Sequence, residues 1–526
     1  MADRSGLRAR LIALGALGAL AALSAIALLG TEGAQGQGAD LRPNIIVVET
    51  DDQTLASFNA RTMPYTTSAV AGPGTTFTNS VVTIPLCCPS RATLLTGQYG
   101  HNNGIVNNKP GYPALRDKGN VLPAWLANAG YATIHIGRYL NEYPKGKNSK
   151  PGPGWDEWIT MLEPRKYLGY VLRVNRKEVE FGKKAKDYVT RVLTGRAVQT
   201  IDRYAPRQQP FYMQFDHMAP HSGAGTGKGP CAGRTVADPD PQDYDQFAAE
   251  PLPTPPSFNE EDVSDKPSFI RKVPPMSDKQ MGQILTRYRC ALGSLIAADR
   301  TMAAIDAALA RTGELDRTVV VFTSDNGFFY GEHRLAREKI RPYEEALRVP
   351  LVIRIPPGVA GPTVSTVDGL VANIDLAPTI LELAGATPCV APGHCRVMDG
   401  RSLLGLTLGQ GAWPQDRGIL IEFRTADERF GTSSSCGYAG IRTPDQVYVH
   451  HTSVPNLITD ICEPADEREH YDLGDDPFQL QNLYPATPPS ANAAVQAKLA
   501  DRLSVLRDCA GIEGRDPPPA SGHFCE

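Results

Sequence analysis

The apolar residues of this chain fall into short unbroken runs rather than long alternating stripes. Asn44 to Thr50 reads Asn-Ile-Ile-Val-Val-Glu-Thr, and Ala132 to Ile136, Phe211 to Phe215 and Val319 to Thr323 have the same form. Short β-branched and aromatic runs of this kind predict strands covered on both faces. Between them the spacing shifts to the helical period, predicting helices over 122–129, 289–312 and 374–384. The second carries Leu292, Leu295, Ile296, Met302, Ile305 and Leu309 on one stripe and stops at Gly313; the third is followed by Gly385. Glycine just past the last periodic residue is a helix stop signal.

Strands alternating with helices predict an α/β fold, doubly wound, with a largely parallel sheet. In such folds functional residues gather beyond the carboxyl ends of the strands. Asp51-Asp52 ends the first strand, Ser324-Asp325-Asn326-Gly327 ends the last, and Phe211 to Phe215 leads to His217 and His221. Residues 222–285 are rich in Pro, Gly and charge and predict a long surface excursion, a rim for substrate. Near residue 412 the pattern changes. Short strands at Gly418 to Phe423 and Gln446 to His451, and an amphipathic helix at Val495 to Leu506, predict a smaller C-terminal α+β domain over 413–526, packed on a domain over 40–412.

At 526 residues, 41% hydrophobic and 21% charged, the composition is ordinary for a globular protein. A net charge of −4 gives no reason to expect a nucleic-acid partner. Arg4, Arg8 and Arg10 precede an uncharged stretch from Leu11 to Leu29, with small residues after it. That layout predicts a secretory signal over 1–39, hence a secreted, extracellular or cell-envelope protein. The chain meets a membrane only if the segment stays uncleaved. Ten cysteines fit export. Cys87 is reserved for chemistry and Cys88 reads as a buried thiol. Cys389 with Cys395, Cys509 with Cys525 and Cys436 with Cys462 would leave Cys231 with Cys290. The sequence leaves these pairings open, against eight free buried thiols.

Asp51, Asp52, Asp325 and Asn326 are hard oxygen donors that suit Ca²⁺ or Mg²⁺ rather than zinc. Ca²⁺ is favoured, because an all-protein cage suits it better. Each pair alone is equally a turn or cap signal. Cys87-Cys88-Pro89-Ser90-Arg91 runs on through Ala92-Thr93-Leu94-Leu95-Thr96-Gly97. Proline near its start makes this a first helical turn, with Cys87 just before the helix N-terminus, where free amides face an anion.

The Cys-x-Pro-Ser-Arg-x-x-x-Leu-Thr-Gly pattern resembles the signature of type I, formylglycine-dependent sulfatases, and the chain is most similar to the N-acetylglucosamine-6-sulfatase branch. The resemblance runs from Arg42 to about Leu483. It is carried also by Thr50-Asp51-Asp52-Gln53, Gly100-His101-Asn102-Asn103, Val106-Asn107-Asn108, Gly137-Arg138-Tyr139-Leu140-Asn141-Glu142-Tyr143, Ala219-Pro220-His221-Ser222, Thr323-Ser324-Asp325-Asn326-Gly327 and Met398-Asp399-Gly400. It implies an alkaline-phosphatase-like fold. It implies that a formylglycine-generating enzyme converts Cys87 during maturation, and that Cys87, Asp51, Asp52, Asp325 and Asn326 ligate the cation. Arg91 would hold the nucleophile. His221 and Lys339 would contact the sulfate and the bridging oxygen, one of them protonating the leaving alcohol.

Two positions depart from the family. Gly137-Arg138 stands where Gly-Lys is usual; arginine keeps the charge but does not readily move a proton. Leu140-Asn141 stands where many members have histidine, making Asn141 a candidate substrate contact, with His135 a candidate base or a core residue. His101 and Asn102 are candidates for the substrate mouth or for bracing a loop. The expected substrate is a sulfated carbohydrate or an aryl sulfate ester. A broad arylsulfatase, a phosphonate or phosphodiester hydrolase, and a glycan-binding protein with unmodified Cys87 are the alternatives.

Overall fold

The computed structural model describes residues 40, 42–144, 150–207, 209–224, 230–424, 436–456, 461–485 and 490–526. The segment 1–39, read as an export signal, lies outside the described residues. None of the described helices is long and apolar enough to cross a membrane. Arg42–Glu526 forms one compact unit.

Ten strands make the central sheet: β1 (Asn44–Asp51), β2 (Thr75–Phe77), β3 (Ala132–Gly137), β4 (Glu157–Met161), β5 (Val171–Val174), β6 (Lys177–Glu180), β7 (Phe211–Pro220), β8 (Thr318–Ser324), β9 (Leu351–Arg354) and β10 (Thr366–Val367). Their order across the sheet is β10-β2-β9-β8-β1-β7-β3-β4-β5-β6. The central five, β8-β1-β7-β3-β4, are parallel. β9 and the β5–β6 hairpin run antiparallel on the two sides. All eight residues of β1 are buried, as are all seven of β8, which is why these strands read as continuous apolar runs.

Helices cover both faces of the sheet. On one face, α3 (Val189–Tyr204) and α4 (Asp278–Thr312) pack Leu193, Ile201, Met302 and Ile305 against Ile46, Val48, Met213 and Phe322. On the other, α1 (Cys87–Thr96), α2 (Leu122–Asn128) and α5 (Leu376–Ala384) pack Leu94, Leu126 and Ile380 against Ile45, Val47 and Val321. Successive β1 residues point to opposite faces, and each face has its own core.

The C-terminal region is a four-stranded antiparallel sheet, β11 (Ile419–Phe423), β12 (Tyr438–Arg442), β13 (Gln446–Asn456) and β14 (Ile461–Asp472), with α6 (Ala491–Leu506) against it. Leu499, Leu503 and Leu506 of α6 share one core with Ile419, Ile441 and Tyr448, and also with Val81, Tyr99 and Ile374 of the larger region. Among the described residues, the C-terminal sheet shares its hydrophobic centres with the larger region. Four disulfides join Cys231–Cys290, Cys389–Cys395, Cys436–Cys462 and Cys509–Cys525.

Two expectations are corrected. The long helix begins at Asp278, eleven residues before the predicted start, capped by Ser277 accepting from the Gln280 amide. The stretch 222–285 is not a loose surface excursion. Asp238, Asp240, Asp243, Glu260 and Lys266 are buried within it. Arg191 and Arg300 hold Asp240 and Asp243 at 2.7 and 3.0 Å, and the Cys231–Cys290 bridge ties the stretch to α4.

Candidate active site

The candidate residues converge because their strands are neighbours. β1 and β8 are parallel and in register, with Thr50 opposite Ser324, so Asp51-Asp52 and Asp325-Asn326 leave the sheet side by side. Asp52 turns into a left-handed conformation at φ 71° and donates its amide to Asp325 Oδ1 at 3.1 Å. β3 ends at Gly137, opposite Asp216 of β7. Gly137 has φ 119°, and a Cβ there would lie 1.8 Å from the Asp216 carbonyl oxygen. Only glycine fits, and this close approach delivers Arg138 to the site.

Cys87 is the first residue of α1, a helix buried along its whole length. The Asn108 side-chain oxygen accepts from the Cys88 amide at 3.0 Å, holding the turn that presents Cys87. Cys87 Sγ lies 3.6 Å from Asp51 Oδ1 and accepts from Lys339 Nζ at 2.9 Å. Lys339 Nζ also donates to Asp52 Oδ1. Arg91, one turn along α1, donates to Asp325 Oδ2 at 3.1 Å, to Asp51 Oδ2 at 3.0 Å and to the Arg138 carbonyl at 3.0 Å. Arg138 donates to Asp51 Oδ2. Asn326 donates to Asp52 Oδ1 at 2.7 Å. His221 Nε2 lies 3.9 Å from Asp52 Oδ2, and its Nδ1 is 2.7 Å from the Ser222 carbonyl. A carbonyl only accepts, so Nδ1 carries the proton and Nε2 is the nitrogen facing the site.

Buried carboxyl groups outnumber the cations, and burial holds the Glu49 carboxyl well above its usual range. Glu49, Asp51, Asp52, Asp216 and Asp325 are all buried around Arg91, Arg138 and Lys339. Burial, and then the Asp51 charge, push the Asp325 carboxyl up to about 7. Burial and the same neighbour push the Cys87 thiol up to about 12. Burial works against the Asp51 charge, but Arg138, His221 and Arg91 hold its pKa well below the usual carboxylate range. Burial, then Arg138, push His221 down to about 4. Asn326 Oδ1 is a buried acceptor with no partner. Asp51, Asp52 and Asp325 each offer an oxygen, all within 4.8 Å of one another. An orphaned acceptor beside an excess of carboxylates is the donor set a hard divalent cation requires.

The cluster opens into a cleft of about 350 Å³ lined by Asp52, Leu86, Asn107, Asn108, His221, Ser222, Phe328 and Lys339, with Lys109, Arg287 and Arg337 along it. The last three basic residues were not singled out in the sequence; no local pattern marks them.

Other candidates lie elsewhere. His101 stacks on Tyr99, with Nδ1 2.9 Å from Glu422 and Nε2 2.9 Å from the Cys509 carbonyl. Asn102 donates to Asp399 at 2.9 Å and to the Cys509 carbonyl at 2.8 Å. Both brace the C-terminal region against the end of α1, and neither lines the cleft. The Asn141 amide donates to Cys88 Sγ at 3.3 Å, and its side-chain oxygen accepts from Arg165 at 3.5 Å. Asn141 thus supports the turn behind Cys87. His135 is fully buried, stacks on Trp158 and places Nε2 3.1 Å from Asp216 and 3.0 Å from the Arg138 carbonyl. It holds the Arg138 backbone from the core side.

Comparison with known proteins bears on this geometry. The family described as Sulfatase matches residues 43–386. The family described as N-sulphoglucosamine sulphohydrolase, C-terminal, matches residues 331–509. An arylsulfatase of Volvox carteri is 31% identical over 518 residues, covering 91% of this chain and 76% of that protein. The N-acetylglucosamine-6-sulfatase of Homo sapiens is 31% identical over 516 residues, covering 90% of this chain and 86% of that protein. The solved structure of BT4656 in complex with its substrate D-glucosamine-2-N,6-O-disulfate matches with a TM-score of 0.69 at 23% identity, covering 88% of this chain and 97% of that one. The fold, the clustered carboxylates around Cys87 and these matches agree: the chain belongs to the sulfatase family and is a sulfuric ester hydrolase.

Proposed function

We propose that this protein is an exported, cation-dependent enzyme that releases sulfate from a sulfated sugar of the N-acetylglucosamine 6-sulfate type, with Cys87 converted to formylglycine. The observation that carries the reading is the position of Cys87 Sγ at the N-terminus of a buried helix, 2.9 Å from Lys339 Nζ and 3.6 Å from Asp51 Oδ1. Four disulfides support export.

The chain's own groups divide the work. Asp51, Asp52, Asp325, Asn326 and position 87 would hold the cation, Ca²⁺ in preference to Mg²⁺, because all five donors are protein groups. Held by these residues, a cation would screen the sulfate's charge and polarise its oxygens. Formylglycine supplies a hydrated aldehyde, whose two hydroxyls allow covalent capture of the sulfuryl group and its later release. Arg91 fixes Asp51 and Asp325 in place and adds positive charge beneath the nucleophile. Lys339 donates at position 87 and stays protonated: burial opposes its charge, but Asp52 and its other acidic neighbours keep its pKa above the usual range. Arg138 holds Asp51 and faces the sulfate as a fixed cation. His221, with Nδ1 tied to Ser222, presents Nε2 to the departing alcohol and exchanges the proton there.

Paired assays test the proposal. Sulfate release from N-acetylglucosamine 6-sulfate and from an aryl sulfate should exceed turnover of an aryl phosphodiester. Dominant phosphodiester turnover would assign the site to the phosphonate and phosphodiester hydrolases instead.

A further inference from the structure

Arg287 and Arg337 reach one cleft from places far apart in the sequence. Arg287 stands on the first part of α4, where Met281, Ile284 and Tyr288 pack toward the core. Arg337 stands on the segment after β8 that also carries Lys339. Both line the cleft together with Asp52, His221 and Lys339. Arg287 is half-buried and Arg337 exposed.

The carboxylates lining this cleft are Asp52 and Glu338. Each is already committed. Asp52 accepts from Lys339 and Asn326, and Glu338 accepts from Arg341 at 2.8 Å. Among the described residues, neither Arg287 nor Arg337 has an ion-pair partner. Burial and the neighbouring Arg337 charge depress the Arg287 pKa, so the two guanidiniums repel each other. Arg91, Arg138 and Arg341, by contrast, all bond carboxylates. A half-buried guanidinium facing another across open space is costly unless an anion joins them. The planar fork of arginine fits a sulfate or a carboxylate with two bonds at once.

We propose that Arg287 and Arg337 form a second anion-binding subsite in the catalytic cleft, taking a sulfate or carboxylate carried by the same sugar chain as the scissile sulfate. The proposal rests on the sulfatase reading and narrows its substrate class to polyanionic glycans. The preferred substrate carries its second anionic group on the 6-sulfated sugar itself or on the adjoining uronate.

The test is calorimetric titration of the Cys87→Ala chain, which binds without turning over, in the presence of Ca²⁺. The ligands are glucosamine 6-sulfate, glucosamine 2-N,6-O-disulfate, and a disaccharide joining the 6-sulfated sugar to a uronate. At least one doubly anionic ligand should bind about ten-fold tighter or better than the monosulfate, as for a charge-assisted bidentate contact. Which one does so locates the second anion. In Arg287→Gln/Arg337→Gln that ratio should collapse toward one. Arg337→Gln alone, at an exposed position, should move it in the same direction. Equal affinities for all three ligands, or a parallel loss of affinity for all three in the variants, would overturn the subsite. Sulfate release by the mature enzyme is read separately. Release without preference removes the subsite and leaves the sulfatase reading intact. Preference in binding without release from any ligand leaves the subsite and removes the hydrolytic reading.

Discussion

Two buried polar clusters lie at opposite ends of α1, and they are built on opposite principles. At its C-terminal end, Arg417 forms a fork with Asp375 at 2.9 and 2.8 Å and reaches Glu526. His101 pairs with Glu422, and Asn102 with Asp399. Each of these side chains has a hydrogen-bond partner. At the N-terminal end, five carboxylates surround three fixed cations, Asn326 Oδ1 has no partner, and the Asp325 carboxyl is pushed up to about 7 by burial and Asp51. A closed cluster holds the fold together. A cluster left in deficit gains from something added, and that marks it as the candidate site of chemistry.

The comparison breaks most sharply at Asp325. Asp325→Ala should reduce sulfate release about a thousand-fold, on the order of what removing a central electrostatic contact costs an enzyme. Ca²⁺ affinity, read by titration calorimetry, should fall with it. Thermal stability without the cation should hold or rise, because one unbalanced charge is gone. A fall in both activity and cation-free stability would place Asp325 with the closed clusters instead.

Arg417→Ala should do the reverse. Removing one side of a buried ion pair costs about 3–5 kcal/mol. Denaturant unfolding should report that loss, while the folded fraction keeps its kcat. An unchanged midpoint would mean that Asp375 and Glu526 find other partners.

His101→Ala sharpens the comparison at a residue the sequence made a candidate for the substrate mouth. Leaving Glu422 without its partner should cost about 1–3 kcal/mol of stability. KM for a sulfated sugar should stay where it was. A rise in KM at constant stability would return His101 to the substrate side.

The smallest effect concerns pH and a third cluster. His333 is buried, with Nδ1 2.8 Å from Glu260 and Nε2 3.6 Å from Glu345, while Glu332 adjoins it and Tyr343 stacks on its ring. Burial works against its charge, but Glu345 and Glu260 push it up to about 9. A raised histidine contributes stability fully present below its unfolded pKa, and that contribution is lost as pH rises through about 9. The Tm difference between the protein and His333→Gln should therefore be largest near pH 6 and shrink by pH 10. A constant difference would mean that the ring stays neutral.

The parallel centre of the sheet was legible in the sequence because strands covered on both faces must be apolar throughout. β1, β3, β7 and β8 all fall where their runs predict. The start of α4 was not legible. Residues 278–288 carry Met281, Ile284, Leu285 and Tyr288 at helical spacing, but exposed Asp278, Lys279, Gln280, Gly282 and Gln283 interrupt them and give the segment the look of a loop, and it brings Arg287 to the cleft. β14 escaped notice for the same reason: Glu463, Asp466, Glu467 and Arg468 give an edge strand the look of a loop. Asp51, Asp52 and Asp325 were readable because each stands at or just past a strand end; Glu49 and Asp216, inside β1 and β7, were not. Lys109, Arg287 and Arg337 were not, because only the tertiary fold brings them together. His101 and Asn102 make the contacts of the loop-bracing alternative, because Gly97, in a left-handed turn at φ 64°, ends α1 and sends the chain toward the C-terminal sheet.

The central claim is that position 87 is the modified nucleophile of the charge-deficient cluster. Mass spectrometry of the tryptic peptide ending at Arg91, from protein isolated from its native source, tests it most directly. The expected result is an aldehyde in place of the Cys87 thiol, with Cys88 unmodified. An intact thiol at Cys87 in protein that still releases sulfate would contradict it.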